Sequence, residues 1–247
     1  MSEVLVVTSG KGGTGKTTLC ASLASCLAAM GQRVLAIDCD IGLSNLDIAL
    51  GMTDCATISF LDVMMENSYL SDAPEHPQIP GLQLLTAPTK TRAGLVDDII
   101  FGRLIEEAAE SYDWVLLDAP AGIGFGFDLA ASYATRAIVV ATADPGSLRD
   151  GQHAAALLVE RGIDPIQLVV NRVTRRLFRS IRSNLDDMMD NVGLPLLGII
   201  PEDQSVPISA AHGTALVLHS RKGAALASLH IARRLVGLEA PLMHIRH

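Results

Sequence analysis

Little in this 247-residue chain points to metal, disulfide or membrane chemistry. Its four cysteines, Cys20, Cys26, Cys39 and Cys55, form no C-x-x-C pair and no cysteine/histidine cluster of zinc spacing, which sets aside a zinc fold and a disulfide scaffold. Reduced, mostly buried thiols in a cytosolic protein are the expectation. Scattered histidines such as His212 and His230 have no neighbours that suggest a metal site. Aromatic residues are only 4% of the chain, so no aromatic-rich surface for reading bases is in view. The longest apolar stretch, around Leu129 to Ala143, is broken by Arg136 and is too short to span a bilayer. No leader peptide is visible, because Glu3 stands just ahead of the first strand-like run. Lys and Arg number 19 against 27 Asp and Glu, a net charge of −8. The molecule as a whole is therefore no polyanion binder, although a local basic face stays open. The chain reads as soluble and cytoplasmic.

What is present is a regular alternation of strand-like and helix-like segments in a chain that is 49% hydrophobic. Apolar runs predict strands over Val4–Ser9, Arg33–Asp38, Leu82–Ala87, Asp113–Asp118, Arg136–Thr142, Ile166–Asn171 and Leu196–Ile200. Several are unbroken Val/Ile/Leu stretches, as parallel strands covered on both faces require. Three- and four-residue apolar spacing predicts helices near Lys16–Met30, Leu95–Ser111, Ser147–Arg161, Arg179–Asn191 and Arg221–Leu235. The fold class is α/β: a doubly wound, mostly parallel sheet flanked by helices on both faces, in one domain over 1–247. Ligands of such sheets bind where the strands end.

The first strand runs into Gly10-Lys11-Gly12-Gly13-Thr14-Gly15-Lys16-Thr17-Thr18, which fits the phosphate-binding pattern G-x-x-x-x-G-K-[ST] between a strand and a helix. Glycines let backbone N–H groups curl around phosphate oxygens, and the following helix adds its free N–H groups and positive dipole end. Lys16 would neutralise phosphate charge and the Thr17 hydroxyl would ligate Mg²⁺. The loop implies a bound nucleoside triphosphate. The absence of an N-K-x-D guanine motif favours ATP.

Carboxylates follow the next strands. The second ends Asp38-Cys39-Asp40-Ile41-Gly42-Leu43-Ser44-Asn45-Leu46-Asp47, with two aspartates placed to serve a metal and an attacking water. The fourth ends Trp114-Val115-Leu116-Leu117-Asp118, an apolar run closed by a carboxylate, followed by Ala119-Pro120-Ala121-Gly122-Ile123-Gly124. That is the Walker B arrangement, which puts Asp118 in the outer shell of Mg²⁺. The sixth strand closes on Asn171-Arg172 and the seventh on Pro201-Glu202-Asp203. An amide such as Asn171 can pair with a purine edge, while strand-end Asn and Pro turns are also common on their own.

Together these motifs resemble the ParA/MinD family of P-loop ATPases, whose deviant Walker A loop reads KGGxGK[ST]. The run from Asp38 to Asp47 is similar to the MinD branch, close to DxDxGLxNLD, except that Ser44 stands where that pattern often carries arginine. The resemblance implies an ATP-bound homodimer in which Lys11 reaches the nucleotide of the partner subunit. It puts Asp38 beside the magnesium shell, lets Asp40 orient the attacking water, and gives Thr18, Asn171, Arg172, Pro201, Glu202 and Asp203 to the nucleotide. It implies slow hydrolysis stimulated by a partner protein. It also likens Ser147-Leu148-Arg149-Asp150 to a helix start near the dimer face, where either Ser147 or Asp150 fits as cap.

Two uses of such a switch remain. One is a septum-positioning ATPase at the inner face of the membrane; the other is a non-membrane relative whose dimer binds protein or DNA. The membrane-binding C-terminal helix of MinD is missing or much reduced here. Only six residues follow Pro241, and the helix before it reads as packed on the sheet. The arginines at 172, 175, 176, 179 and 182 would suit DNA phosphates or anionic lipid, or pair with the acids at 186, 187 and 190.

Overall fold

The computed structural model describes residues 2–89, 96–174, 176, 189 and 192–243. Its strands are β1 (Glu3–Thr8), β2 (Val34–Asp38), β3 (Leu82–Leu85), β4 (Trp114–Asp118), β5 (Arg136–Thr142), β6 (Ile166–Val173) and β7 (Leu196–Pro201). They form one sheet in the order β3-β2-β4-β1-β5-β6-β7, every pair parallel. The described helices are α1 (Lys16–Ala29), α2 (Leu46–Leu50), α3 (Phe60–Met64), α4 (Asp98–Ser111), α5 (Phe125–Ser132), α6 (Pro145–Glu160), α7 (Ser205–Ala211), α8 (Leu216–His219) and α9 (Gly223–Leu235).

The unbroken apolar runs are explained by what lies on each face. Leu5 and Val7 of β1 enter one buried cluster with α1, α8 and α9, while Val4 and Val6 enter another with α4, α5 and α6. In β4, Leu116 joins the first cluster, and Val115 and Leu117 join the second. Successive side chains point to opposite faces, so a strand buried on both sides needs apolar residues throughout.

Helix starts differ from the sequence expectation where a side-chain cap takes over. α6 begins at Pro145, and neither Ser147 nor Asp150 caps it. Asp144 does, accepting from the Ser147 N–H at 3.0 Å, with proline at the first helical position where no N–H is needed. α4 begins at Asp98 because the Asp97 carboxylate accepts from Ile99 and Ile100. The expected helix over 179–191 lies, apart from residue 189, outside the described residues.

α9 packs on the sheet, as expected. It buries Ala224, Ala225, Ala227, Ile231, Ala232 and Leu235. Gly198 of β7 makes this approach feasible, since a Cβ there would sit 2.5 Å from Ile231 Cγ1. Arg234 turns inward: its Nη1 donates to the Leu197 carbonyl at 2.6 Å and its Nη2 to the Ala240 carbonyl at 3.0 Å. Among the described residues no helix is long and apolar enough to cross a membrane.

The carboxyl ends of three neighbouring strands meet at one place. Asp38 closing β2 is the register partner of Asp118 closing β4, and Asp118 also pairs with Val7 of β1, just before the glycine loop. Gly198→Ala should test the close packing of α9. Forcing Ile231 aside should lower unfolding free energy by about 1–3 kcal/mol, read in urea as a lower midpoint at unchanged m.

Candidate functional site

The loop between β1 and α1 ends in Gly15, at a left-handed φ of 86°, which no side chain caps. The first N–H groups of α1 are therefore left for an anion. Lys16, the first helical residue, is buried. Its Nζ donates to Asp118 Oδ1 at 3.0 Å and lies 3.3 Å from the Thr17 hydroxyl. Lys11 and Gly12 are exposed at the outer turn of the loop. Thr14 is buried, and its hydroxyl has no hydrogen-bond partner among the described residues.

Asp38 organises the loop after β2. Its Oδ1 accepts from the Asp40 N–H at 2.9 Å, and its Oδ2 accepts from the Asn45 and Leu46 N–H groups at 2.9 and 3.0 Å. The Ser44 hydroxyl donates to the same Oδ2 at 3.2 Å, so the residue that departs from the family pattern serves this carboxylate. Asp40 is half-buried, and burial, then the neighbouring Asp38 charge, raises its carboxyl above the usual range. Asp118 is 1% exposed. Burial pushes its carboxyl up to about 6; Lys16 pulls it down and Asp38 adds to the rise. Cys20 and Cys39 are fully buried beside these groups, and burial drives both thiols well above their ordinary value.

A pocket of about 280 Å³ opens beside the loop, and Thr18, Asn171, Arg172, Pro201, Glu202 and Asp203 all line it. Asn171 Nδ2 donates to the Thr14 carbonyl at 2.7 Å. Arg172, at φ 57°, pairs with Glu202 at 2.9 Å. Asp203 does a different job from its neighbours. Its carboxylate accepts from the Ser205 and Ala224 N–H groups, both at 2.8 Å, and ties the start of α9 to the end of β7. Burial would raise it, yet these bonds more than offset that and leave it lowered.

Leu19, Ser22, Val206, Leu216, Ala224 and Ser228 also line the pocket and were not foreseen. Val206 follows the Pro-Glu-Asp turn closely enough to be suspected. Leu216 and Ala224 arrive from later helices, with no local spacing to announce them. Of the arginine run, Arg172 is paired and Arg176 is exposed, while 175, 179 and 182 lie outside the described residues.

Residues 5–217 match the family described as the CobQ/CobB/MinD/ParA nucleotide binding domain. The chain is 35% identical over 246 residues to the septum site-determining protein MinD of Synechocystis sp., covering 98% of this chain and 92% of that protein. Its fold matches MinD in the MinC:MinD cell division complex of Aquifex aeolicus with a TM-score of 0.88, at 34% identity, over 98% of this chain and 99% of that one. It also matches the MinD of Pyrococcus horikoshii complexed with Mg-ADP, with a TM-score of 0.84, at 29% identity, over 95% and 96%.

The buried carboxylate of Asp118 has a consequence for stability. It titrates near 6 in the folded chain and near 3.8 ordinarily, so the folded state holds the extra proton between those values. Unfolding free energy then falls as pH rises through that window, by about 3 kcal/mol from this group. Asp118→Asn should remove this slope. The unpaired Lys16 should lower the variant's stability by a constant amount across the window. Urea unfolding at intervals from pH 4 to 7 compares the two curves.

Proposed function

The chain is a MinD-like member of the CobQ/CobB/MinD/ParA nucleotide-binding family, and we propose that its one domain, residues 1–247, is a Mg²⁺-dependent ATPase. It switches from monomer to ATP-bound homodimer and serves in positioning the division septum. The observation that carries this reading is the buried Lys16 held against Asp118 at the uncapped start of α1, with Asp38 and Asp40 beside it. The relatives named MinD, one complexed with Mg-ADP and one with MinC, support it.

In this reading the N–H groups of residues 12–17 and the Lys16 ammonium take the β- and γ-phosphates. Lys16 leaves Asp118 for the phosphate oxygens as it does so. The donor set suits a magnesium ion: the Thr17 hydroxyl lies beside Lys16, and Asp118 engages Lys16 through one oxygen. Asp38, with four donors already on its two oxygens, fits the outer shell. Bound there, Mg²⁺ supplies neutralisation of the phosphate charge. Asp40 holds the attacking water by accepting its hydrogen bond, and a carboxyl raised by burial and by Asp38 is the better acceptor for its proton. The base enters the pocket between Asn171–Arg172 and Pro201–Asp203. Exposed Lys11 crosses to the nucleotide of the second subunit, as a charge supplied in trans. A partner protein of the MinC or stimulator kind reads the dimer.

A second reading, a dimer that docks on protein or DNA without a membrane, is favoured by one observation: α9 is committed to the sheet and Arg234 to backbone carbonyls. Pelleting with anionic liposomes separates the two. ATP-dependent pelleting is expected for the membrane role; a protein that dimerises with ATP and stays in the supernatant belongs to the second reading. In analytical ultracentrifugation the wild type should double its 26.1 kDa mass with ATP. Lys11→Ala should bind ATP and remain monomeric, whereas Asp40→Ala should stay dimeric with turnover reduced 100-fold or more (about 3 kcal/mol). A normal ATP dimer from Lys11→Ala would overturn the trans role.

A further inference from the structure

Near the end of β6, two consecutive residues both donate to the glycine loop. Asn171 Nδ2 reaches the Thr14 carbonyl at 2.7 Å in a buried bond, and Arg172 Nη1 reaches the Gly13 carbonyl at 3.3 Å. Neither donor is loose. Asn171 Oδ1 accepts from the Arg172 backbone N–H at 2.8 Å, and the Arg172 guanidinium is held by Glu202 at 2.9 Å. Arg172 keeps a left-handed φ of 57°, unfavourable for any side chain, which the surrounding bonds must sustain.

The geometry of the peptide unit gives these bonds a purpose. In a trans peptide the C=O and the N–H on the same plane point opposite ways. Drawing the carbonyls of Gly13 and Thr14 toward β6 turns the N–H groups of Thr14 and Gly15 away from β6, the sense in which a loop presents donors to an anion. Gly13 and Gly15 sit at φ 78° and 86°. Glycine resists rotation little, so the loop by itself would sample other orientations of these peptides. A Cβ on Gly15 would lie 2.3 Å from Asn171 Nδ2, so the brace also needs the glycine it contacts.

We propose that Asn171, seconded by Arg172, is a positioning residue that sets the phosphate-binding peptides before any ligand arrives. It thereby couples the pocket for the base to the loop for the phosphates. The inference rests on the reading of that loop as a triphosphate site and assigns Asn171 a task distinct from recognition of a purine edge. Its amide has one N–H and its carbonyl already engaged with the chain itself.

The test uses the full chain with two probes in the presence of Mg²⁺: ATP, and inorganic tripolyphosphate, which has the phosphates and no base. Asn171→Ala removes the brace. Asn171→Asp keeps the side-chain volume and replaces the donor with an acceptor facing the Thr14 carbonyl, so it stands in if the alanine variant fails to fold. Affinity for both probes should fall together, by about tenfold, the loss of one buried hydrogen bond. In the ligand-free protein, amide hydrogen exchange over residues 12–17 should quicken by a similar factor. A loss confined to ATP, with tripolyphosphate binding intact, would make Asn171 a base contact and sink the proposal, as would unchanged exchange in the loop. If the wild type bound neither probe, the triphosphate reading would fall, while the exchange measurement on ligand-free protein would still decide the brace.

Discussion

A lysine ammonium buried against a carboxylate joins the start of a helix to the end of a central strand. The Lys16–Asp118 pair, 3.0 Å long, links the first residue of α1 to the last of β4. A buried charge without a partner is costly, so each group calls for the other, or for a substitute of the right sign. Asp38 lies opposite Asp118 in the sheet register, and after burial its charge adds to the rise of the Asp118 carboxyl. Two acids and one base in a dry site leave a local excess of negative charge. That excess suits a cation added near Asp118, and it explains why Asp38 is so fully wrapped in donors.

That wrapping shapes the loop beyond β2. Three N–H groups and the Ser44 hydroxyl converge on Asp38, and the backbone from Asp40 to Leu46 must curl round it before α2 can begin. The loop that carries Asp40 is therefore built around the Asp38 carboxylate at the end of β2. Across the site, the brace from β6 does for the glycine loop what Asp38 does for this one. Both loops take their shape from side chains of the rigid sheet.

Much of this was legible in the residues, for identifiable reasons. β5 runs from Arg136 to Thr142 as expected, because a continuous apolar run between polar ends has a single sensible boundary. The loop from Gly10 to Thr18 could be placed because its function needs glycines and a lysine at fixed spacing. α2 and α3 escaped because five residues are too few to show helical periodicity. α6 starts ahead of the expected Ser147 because the cap is Asp144, not Ser147 or Asp150; its carboxylate accepts from the Ser147 N–H, and proline follows it at the first helical position. Asp203 lines the pocket as expected and also accepts from an amide 21 residues away, a pairing that no local pattern encodes.

The buried cysteines give the protein a built-in set of reporters. Cys39 sits between Asp38 and Asp40, and Cys20 lies one turn into α1. Both are sealed from solvent, with thiols held far from their reactive thiolate form. An alkylating reagent reaches either one only when the chain around it opens. Cys55, half-buried, remains as an internal standard. The ratio of modification at Cys39 to that at Cys55 thus measures how often the centre of this molecule breathes, without a foreign label.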